Sequence, residues 1–242
     1  MRVLIVIATY NEIDNLPQIV KELRSLVSDA DILIVDDNSP DGSGRWALKE
    51  AEKDPRINAI IRVNERGLGS AVIRGFKFGI EHGYDYLVNM DADFSHPVED
   101  VPKLLEKITT SNVDVVIGSR YARGGMTPDW PIIRRLMSRC VNLWARITLG
   151  LATKDNSGAF RCYRVEKLRL LDFDRFISSG YSFFEETLFR LKQEGATFEE
   201  VPIVFLDRRF GVSKINGKEA LKAVWIMLKI GFDRIINRRP RR

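Results

Sequence analysis

An α/β fold, with a mostly parallel sheet flanked by helices, is what this 242-residue sequence predicts, and three observations predict it. Short Val- and Ile-rich runs alternate with longer stretches of helical periodicity. The runs are apolar throughout instead of alternating with polar residues, as strands covered on both faces are. Their strand, helix, strand order repeats through the first half, the signature of βαβ units. Composition agrees: 45% hydrophobic and 29% charged residues exclude disordered, collagen-like and coiled-coil classes.

The first strand covers Val3 to Ala8, and the opening segment runs into Asn11 and Glu12 without a small-residue cleavage site, so it reads as a buried strand and not a signal peptide. Asn15 to Ser28 places Leu16, Ile19, Val20, Leu23, Leu26 and Val27 at helical spacing. Strands over Ile32 to Val35, Ile57 to Val63, Tyr86 to Met90 and Val113 to Ile117 alternate with helices over Gly42 to Glu52, Ser70 to His82 and Pro97 to Thr109. Pro97 suits the first helical position, with Glu99 and Asp100 in the first turn. The second half is less regular. Gly118 to Pro131 reads as loop, Ile132 to Gly150 as helix, Thr153 to Arg164 as a turn and a strand, Phe183 to Gly195 as helix and Phe198 to Leu206 as strand. Without a Pro-, Gly- or Ser-rich linker, the chain divides into one domain, residues 1–216, and an appendage, residues 217–242.

Ligands of parallel sheets sit beyond the carboxyl ends of the strands. Three of those ends carry acids: Ala8-Thr9-Tyr10-Asn11-Glu12, Asp36-Asp37-Asn38-Ser39 and Asp91-Ala92-Asp93. Asp91 and Asp93 at a strand end can converge on one divalent ion, and their hard oxygens suit Mg2+ or Mn2+ with positions left for diphosphate. A dinucleotide fingerprint is excluded, because Thr9-Tyr10-Asn11-Glu12 holds no glycine and Gly67-Leu68-Gly69 follows only the third strand. His82 and His96 are the only histidines; His82 caps a helix end and His96 supports the acidic triplet from behind. No Gly-x-Ser-x-Gly elbow supports nucleophilic catalysis. Cys140 and Cys162 are too few for a disulfide framework, which favours a reducing compartment.

A cationic set complements the acids: Arg120, then Arg134, Arg135 and Arg139 on the following helix, then Arg208 and Lys214. A metal for one phosphate group and an Arg/Lys cluster for another points to two anionic ligands, with Arg135 and Arg139 the members best explained as plain surface cations.

These blocks, with Ser157-Gly158-Ala159-Phe160-Arg161 and residues 208–214, resemble the inverting family 2 glycosyltransferases of the GT-A (Rossmann-like) fold, and within them the polyprenyl-phosphate or dolichyl-phosphate mannose synthases. The resemblance spans residues 3–214. It implies transfer of mannose from GDP-mannose to dolichyl or polyprenyl phosphate, with a glucose donor as the alternative. By position it implies that Ala8, Tyr10, Glu12, Val35 and Asp37 line the nucleoside pocket, and that Asp91 and Asp93 hold the metal with Ala92 beside the donor. It further implies that Ser95 stands at a third metal-side position, that Arg120 and Arg134 grip the acceptor phosphate, and that Arg208 and Lys214 hold donor phosphates. Ala8 replaces the proline usual before Thr-Tyr-Asn-Glu.

Charge placement adds a partner. Residues 228–242 carry six basic residues and one acid and so account for the whole net charge of +5. From Lys218 to Asn237, Leu221, Val224, Trp225, Leu228, Phe232, Ile235 and Ile236 follow helical spacing opposite Lys218, Lys222, Lys229 and Asp233, which predicts an amphipathic helix on an anionic membrane surface. No run is long enough to span a bilayer, so the expected location is peripheral on the cytoplasmic face of a membrane, held there directly or by a membrane-anchoring partner protein. A nucleic-acid-binding module is disfavoured, since Arg238 to Arg242 lack interleaved aromatics.

Overall fold

The computed structural model describes residues 1–178, 180, 182–207 and 224–232. Its centre is a seven-stranded sheet built from β1 (Val3–Thr9), β2 (Asp31–Asp36), β3 (Ile57–Ile61), β4 (Tyr86–Asp91), β5 (Val115–Ser119), β6 (Arg161–Arg164) and β7 (Phe198–Pro202) in the order β3-β2-β1-β4-β6-β5-β7. β1 pairs in parallel with β2 and β4, and β2 with β3. β6 enters between β4 and β5 antiparallel to both, so the residues leading into it arrive at the rim formed by the carboxyl ends of β1, β4 and β5. Strand order reverses at β1, with β2 on one side and β4 on the other, and such a switch point opens a crevice above the strand ends.

Alternate strand residues feed two cores. Leu4, Val6, Leu33 and Val35 pack against α3 (Leu68–Glu81), α5 (Ile132–Leu149) and α7 (Phe183–Gln193). Ile5, Ile7, Ile32 and Ile34 pack against α1 (Leu16–Leu26), α2 (Ser43–Lys53) and α4 (Val101–Thr110). α6 (Val165–Leu168) is a single turn after β6. Gly75 lets α3 lie directly on β1: a Cβ there would come within 2.4 Å of Val6 Cγ1.

Element positions follow the sequence reading closely, with two differences. Pro97 does not start α4. It precedes a 3-10 turn, Val98–Asp100, and Pro102 occupies the first turn of α4 instead, because Pro97 is extended at ψ 124°. The C-terminal appendage also differs. Residues 224–232 form a helix, α8, that buries Ile226, Met227 and Ile230 in the core beside Ala145 and Leu149, while Trp225, Leu228 and Phe232, expected to form its one apolar face, are exposed. Within 224–232 only Lys229 is polar, so periodicity could not select the buried face. The remaining residues assigned to that helix, and the basic residues from Arg234 onward, lie outside the described residues. Among the described residues no helix is long and apolar enough to cross a membrane.

Candidate active site

Above the switch point lies a cavity of about 260 Å³ lined by Tyr10, Glu12, Asp37, Arg66, Asp91 and Asp93, with Ala8, Thr9, Gly67, Leu68, Ala71 and Ala92 between them. Strand register creates it: Ala8 stands opposite Val35 on one side and Asp91 on the other. Of the predicted pocket residues, Val35 alone stays out of the lining, its side chain fully buried in the core. The three acid-bearing strand ends share a local feature. Each is followed by a non-glycine residue at positive φ: Asn11 at 59°, Asn38 at 55° and Phe94 at 61°. Asn tolerates this conformation, whereas Phe seldom adopts it, and such strain gathers at functional sites.

Asp93 is buried, and its Oδ1 accepts from the Ser95 backbone N–H at 3.0 Å and from Ser95 Oγ at 2.5 Å. The Ser95 hydroxyl is thus directed at the carboxylate, which it orients. His96 Nδ1 accepts from the Asp91 backbone N–H at 3.1 Å, and the buried imidazole stacks on Phe160 with centroids 5.1 Å apart. His96 thus stands against the backbone of Asp91 and not in the cavity lining. Asp37 is engaged by a residue that sequence reasoning missed. Buried Arg62 donates to Asp37 Oδ1 at 2.7 Å from Nε and again from Nη2, while the Gly67 N–H donates to Oδ2 at 2.8 Å. Gly67, at φ 129°, takes a backbone conformation open to glycine, and Asp37 pins that turn against the cavity. Arg66, also unanticipated, sits over the Tyr10 ring at 5.2 Å. A charge within the apolar run Ile57 to Val63, as at Arg62, was the one signal available.

Two features point to a ligand. Thr9 lines the cavity, and its Oγ1 is buried without a hydrogen-bond partner, whereas buried hydroxyls in proteins are otherwise paired. Asp91 and Asp93 supply two carboxylates to the same space. That donor set fits a divalent cation of the Mg2+ or Mn2+ type, which binds one or two protein carboxylates and completes its shell with substrate phosphates. Among the described residues no group of three or more His, Cys, Asp or Glu is placed to hold a metal.

The cationic half stands beside this cavity. Asp155, fully buried on the segment entering β6, accepts from Arg120 Nε at 2.7 Å, Arg120 Nη2 at 2.6 Å and the Arg120 backbone N–H at 2.9 Å. Burial alone would raise the Asp155 pKa, but the Arg120 charge and hydrogen bonds hold it below the usual carboxylate value. Arg120 and Arg134 both face Trp130, at 5.3 and 4.0 Å from a ring centroid, so the structure brings the two predicted phosphate-binding arginines together on one indole. Arg134 also donates to Asp207 at 3.2 Å. Phe205 joins the two halves by contacting Trp130, Arg120 and His96 at 5.2, 5.5 and 5.5 Å. Beneath Arg120, buried Glu185 has a carboxyl oxygen without a hydrogen-bond partner, and burial pushes its pKa up to about 7. Neither Asp155 nor Glu185 carried a recognisable motif. Arg208 and Lys214 lie outside the described residues.

Residues 4–171 match the family model for glycosyl transferase family 2. The chain is 46% identical over 217 residues, 90% of its length and 88% of the relative's, to an undecaprenyl-phosphate mannosyltransferase of Micrococcus luteus. It is 39% identical over 231 residues, 95% of its length and 87% of the relative's, to a polyprenol monophosphomannose synthase of Mycolicibacterium smegmatis. Among solved structures, glucosyl-3-phosphoglycerate synthase of Mycobacterium tuberculosis with Mn2+ and UDP shares the fold at a TM-score of 0.64 and 16% identity, covering 96% of this chain and 79% of that one. The mannosyltransferase PcManGT of Pyrobaculum calidifontis with GDP-Man and Mn2+ does so at 0.62 and 19%, covering 97% and 64%.

Proposed function

This chain belongs to glycosyl transferase family 2, and from that premise we propose that it transfers mannose from GDP-mannose to dolichyl or polyprenyl phosphate with inversion, releasing GDP at a membrane's cytoplasmic face. The observation that carries the reading is the adjacency of an acid-lined cavity and an arginine pair, joined through His96, Phe205 and Trp130. The two curated relatives, named for polyprenyl-phosphate mannosyl transfer, support the acceptor class.

The residues divide the work. Ala8, Thr9, Tyr10, Glu12 and Asp37 receive the nucleoside, with the Thr9 hydroxyl available to it. Asp91 and Asp93 hold Mg2+ or Mn2+, which when bound offsets the charge of the departing diphosphate. Arg120 and Arg134, fixed against Trp130, orient the acceptor phosphate, and Arg208 and Lys214 serve the donor phosphates. A phosphate monoester with a second pKa near 6 is largely ionised at neutral pH. Its attacking oxygen therefore needs no general base, and placement with charge neutralisation supplies the rate. Attack from the side opposite the diphosphate inverts the anomeric carbon.

The test is transfer by the purified chain from GDP-mannose to polyprenyl phosphate, with and without Mg2+ or Mn2+, followed by mass spectrometry of the lipid. Asp93→Asn is expected to abolish turnover while leaving the melting temperature within a few degrees of the parent. Substantial turnover by Asp93→Asn, or transfer from UDP-glucose in place of GDP-mannose, refutes the assignment.

A further inference from the structure

Every donor of Arg62 is engaged at the rim of the acid-lined cavity. Its backbone N–H donates to the Asp36 carbonyl at 2.8 Å, one step beyond the β2–β3 ladder, which sets it alongside Asp37, whose own N–H donates to the Thr9 carbonyl at 3.1 Å. From there Nε and Nη2 both donate to Asp37 Oδ1. Nη2 also donates to the Gly67 carbonyl at 3.1 Å, and Nη1 donates to Ser70 Oγ at 2.9 Å and to Glu65 Oε2 at 3.2 Å. A guanidinium has five N–H groups, and these contacts use all of them. The side chain is only 4% exposed, so Arg62 keeps no donor for a ligand and acts on the cavity through Asp37.

What counts for a ligand is the acceptor capacity that Asp37 retains. A carboxylate offers about four lone-pair positions, two on each oxygen. Arg62 fills both on Oδ1 and the Gly67 N–H fills one on Oδ2, so a single position, on Oδ2, is left for a group in the cavity that Asp37 lines. Arg66 precedes Gly67 in the chain and is the one cation among the described lining residues, held over the Tyr10 ring. One acceptor near one donor matches a ring N–H beside a carbonyl. Guanine and uracil present that edge, and adenine and cytosine do not.

We propose that Arg62 is a positioning residue that makes Asp37 a single-point reader of the nucleobase: Asp37 accepts the ring N–H, Arg66 meets the adjacent carbonyl, and the 2-amino group of guanine goes unread. The inference rests on the proposed donor, a sugar carried on a nucleoside diphosphate, and adds which edge of the base is recognised and which residue fixes that choice. With both oxygens open, a carboxylate accepts paired donors side by side, as it does from a guanidinium fork. Arg62 occupies that second place itself, so the base is left one contact where guanine could supply two.

Three diphosphates separate the groups on the base: guanosine, with the ring N–H and the 2-amino group; inosine, with the ring N–H alone; and 2-aminopurine riboside, with the amino group alone. Binding of each to the full chain in the presence of Mn2+ is measured by calorimetry. Inosine diphosphate is expected to bind within about threefold of guanosine diphosphate, and the 2-aminopurine compound about 10- to 100-fold more weakly, the worth of a hydrogen bond to a charged group. This comparison needs no variant. Arg62→Lys keeps the charge but lacks the planar fork, which frees a position on Oδ1. In that variant guanosine diphosphate should come to outbind inosine diphosphate by about tenfold, because the amino group gains an acceptor. The ratio is the readout, since a merely structural loss lowers both affinities alike. Equal binding of the guanosine and 2-aminopurine compounds overturns the proposal, as does a parent chain that prefers guanosine to inosine diphosphate by more than about tenfold, or a ratio unmoved in Arg62→Lys. Those failures leave the proposed reaction standing, whereas binding of none of the three removes the reaction and this inference together.

Discussion

Replacing Asp155 with asparagine tests how Arg120 is held. Asp155 is fully buried and accepts three hydrogen bonds from Arg120 and a fourth from the Gly158 N–H at 3.1 Å. Asparagine keeps the size but removes the charge, and it turns an NH2 group toward donors that need an acceptor. Removing one partner of a buried ion pair costs about 3–5 kcal/mol, because the other charge is left desolvated. A domain typically holds only about 5–15 kcal/mol, so the loss is readily measured by urea unfolding at pH 7. The sign with pH is fixed by the lowered pKa. The stabilisation is present above the ordinary value of 3.8 and is lost as pH falls through the lower folded-state value, so the difference between parent and Asp155→Asn should shrink in strong acid. The double variant Arg120→Met/Asp155→Leu removes both charges and should be more stable than Asp155→Asn alone. A cost below about 1 kcal/mol for Asp155→Asn, or a double variant whose loss equals the sum of the two single ones, refutes the clamp.

Glu185, with its pKa raised from 4.5 to about 7, favours the folded state in its protonated form, so its stabilisation is full below pH 4.5 and is lost as pH rises through 7. Glu185→Gln should gain on the parent by about 3 kcal/mol between pH 4.5 and 8, read as diverging unfolding free energies, and parallel curves would contradict the assignment. Ser95→Ala removes the hydroxyl that orients Asp93 and is expected to weaken Mn2+ binding in the presence of GDP about 10- to 100-fold by calorimetry; unchanged affinity would show the bond to be incidental. Gly75→Ala forces a methyl into Val6 and should destabilise by about 1–3 kcal/mol in thermal unfolding, whereas a neutral result would mean α3 can move off β1.

What the sequence determined by itself is the local layer of this protein. Continuous apolar runs and helical spacing are contacts a chain makes with its near neighbours, so β1 to β5 and α1 to α4 were legible to within a few residues. Asp91 and Asp93, two positions apart at the end of one strand, were legible for the same reason. The tertiary structure decided everything that depends on which distant segments meet. Asp155 clamps Arg120 across 35 positions and Arg62 holds Asp37 across 25, pairings set by sheet order and the reversed direction of β6, which no spacing rule encodes. The buried side of α8 was hidden likewise. An apolar residue looks the same in sequence whether it is buried in a core or exposed on a surface, and only the position of the neighbouring elements settles which side each helix turns outward.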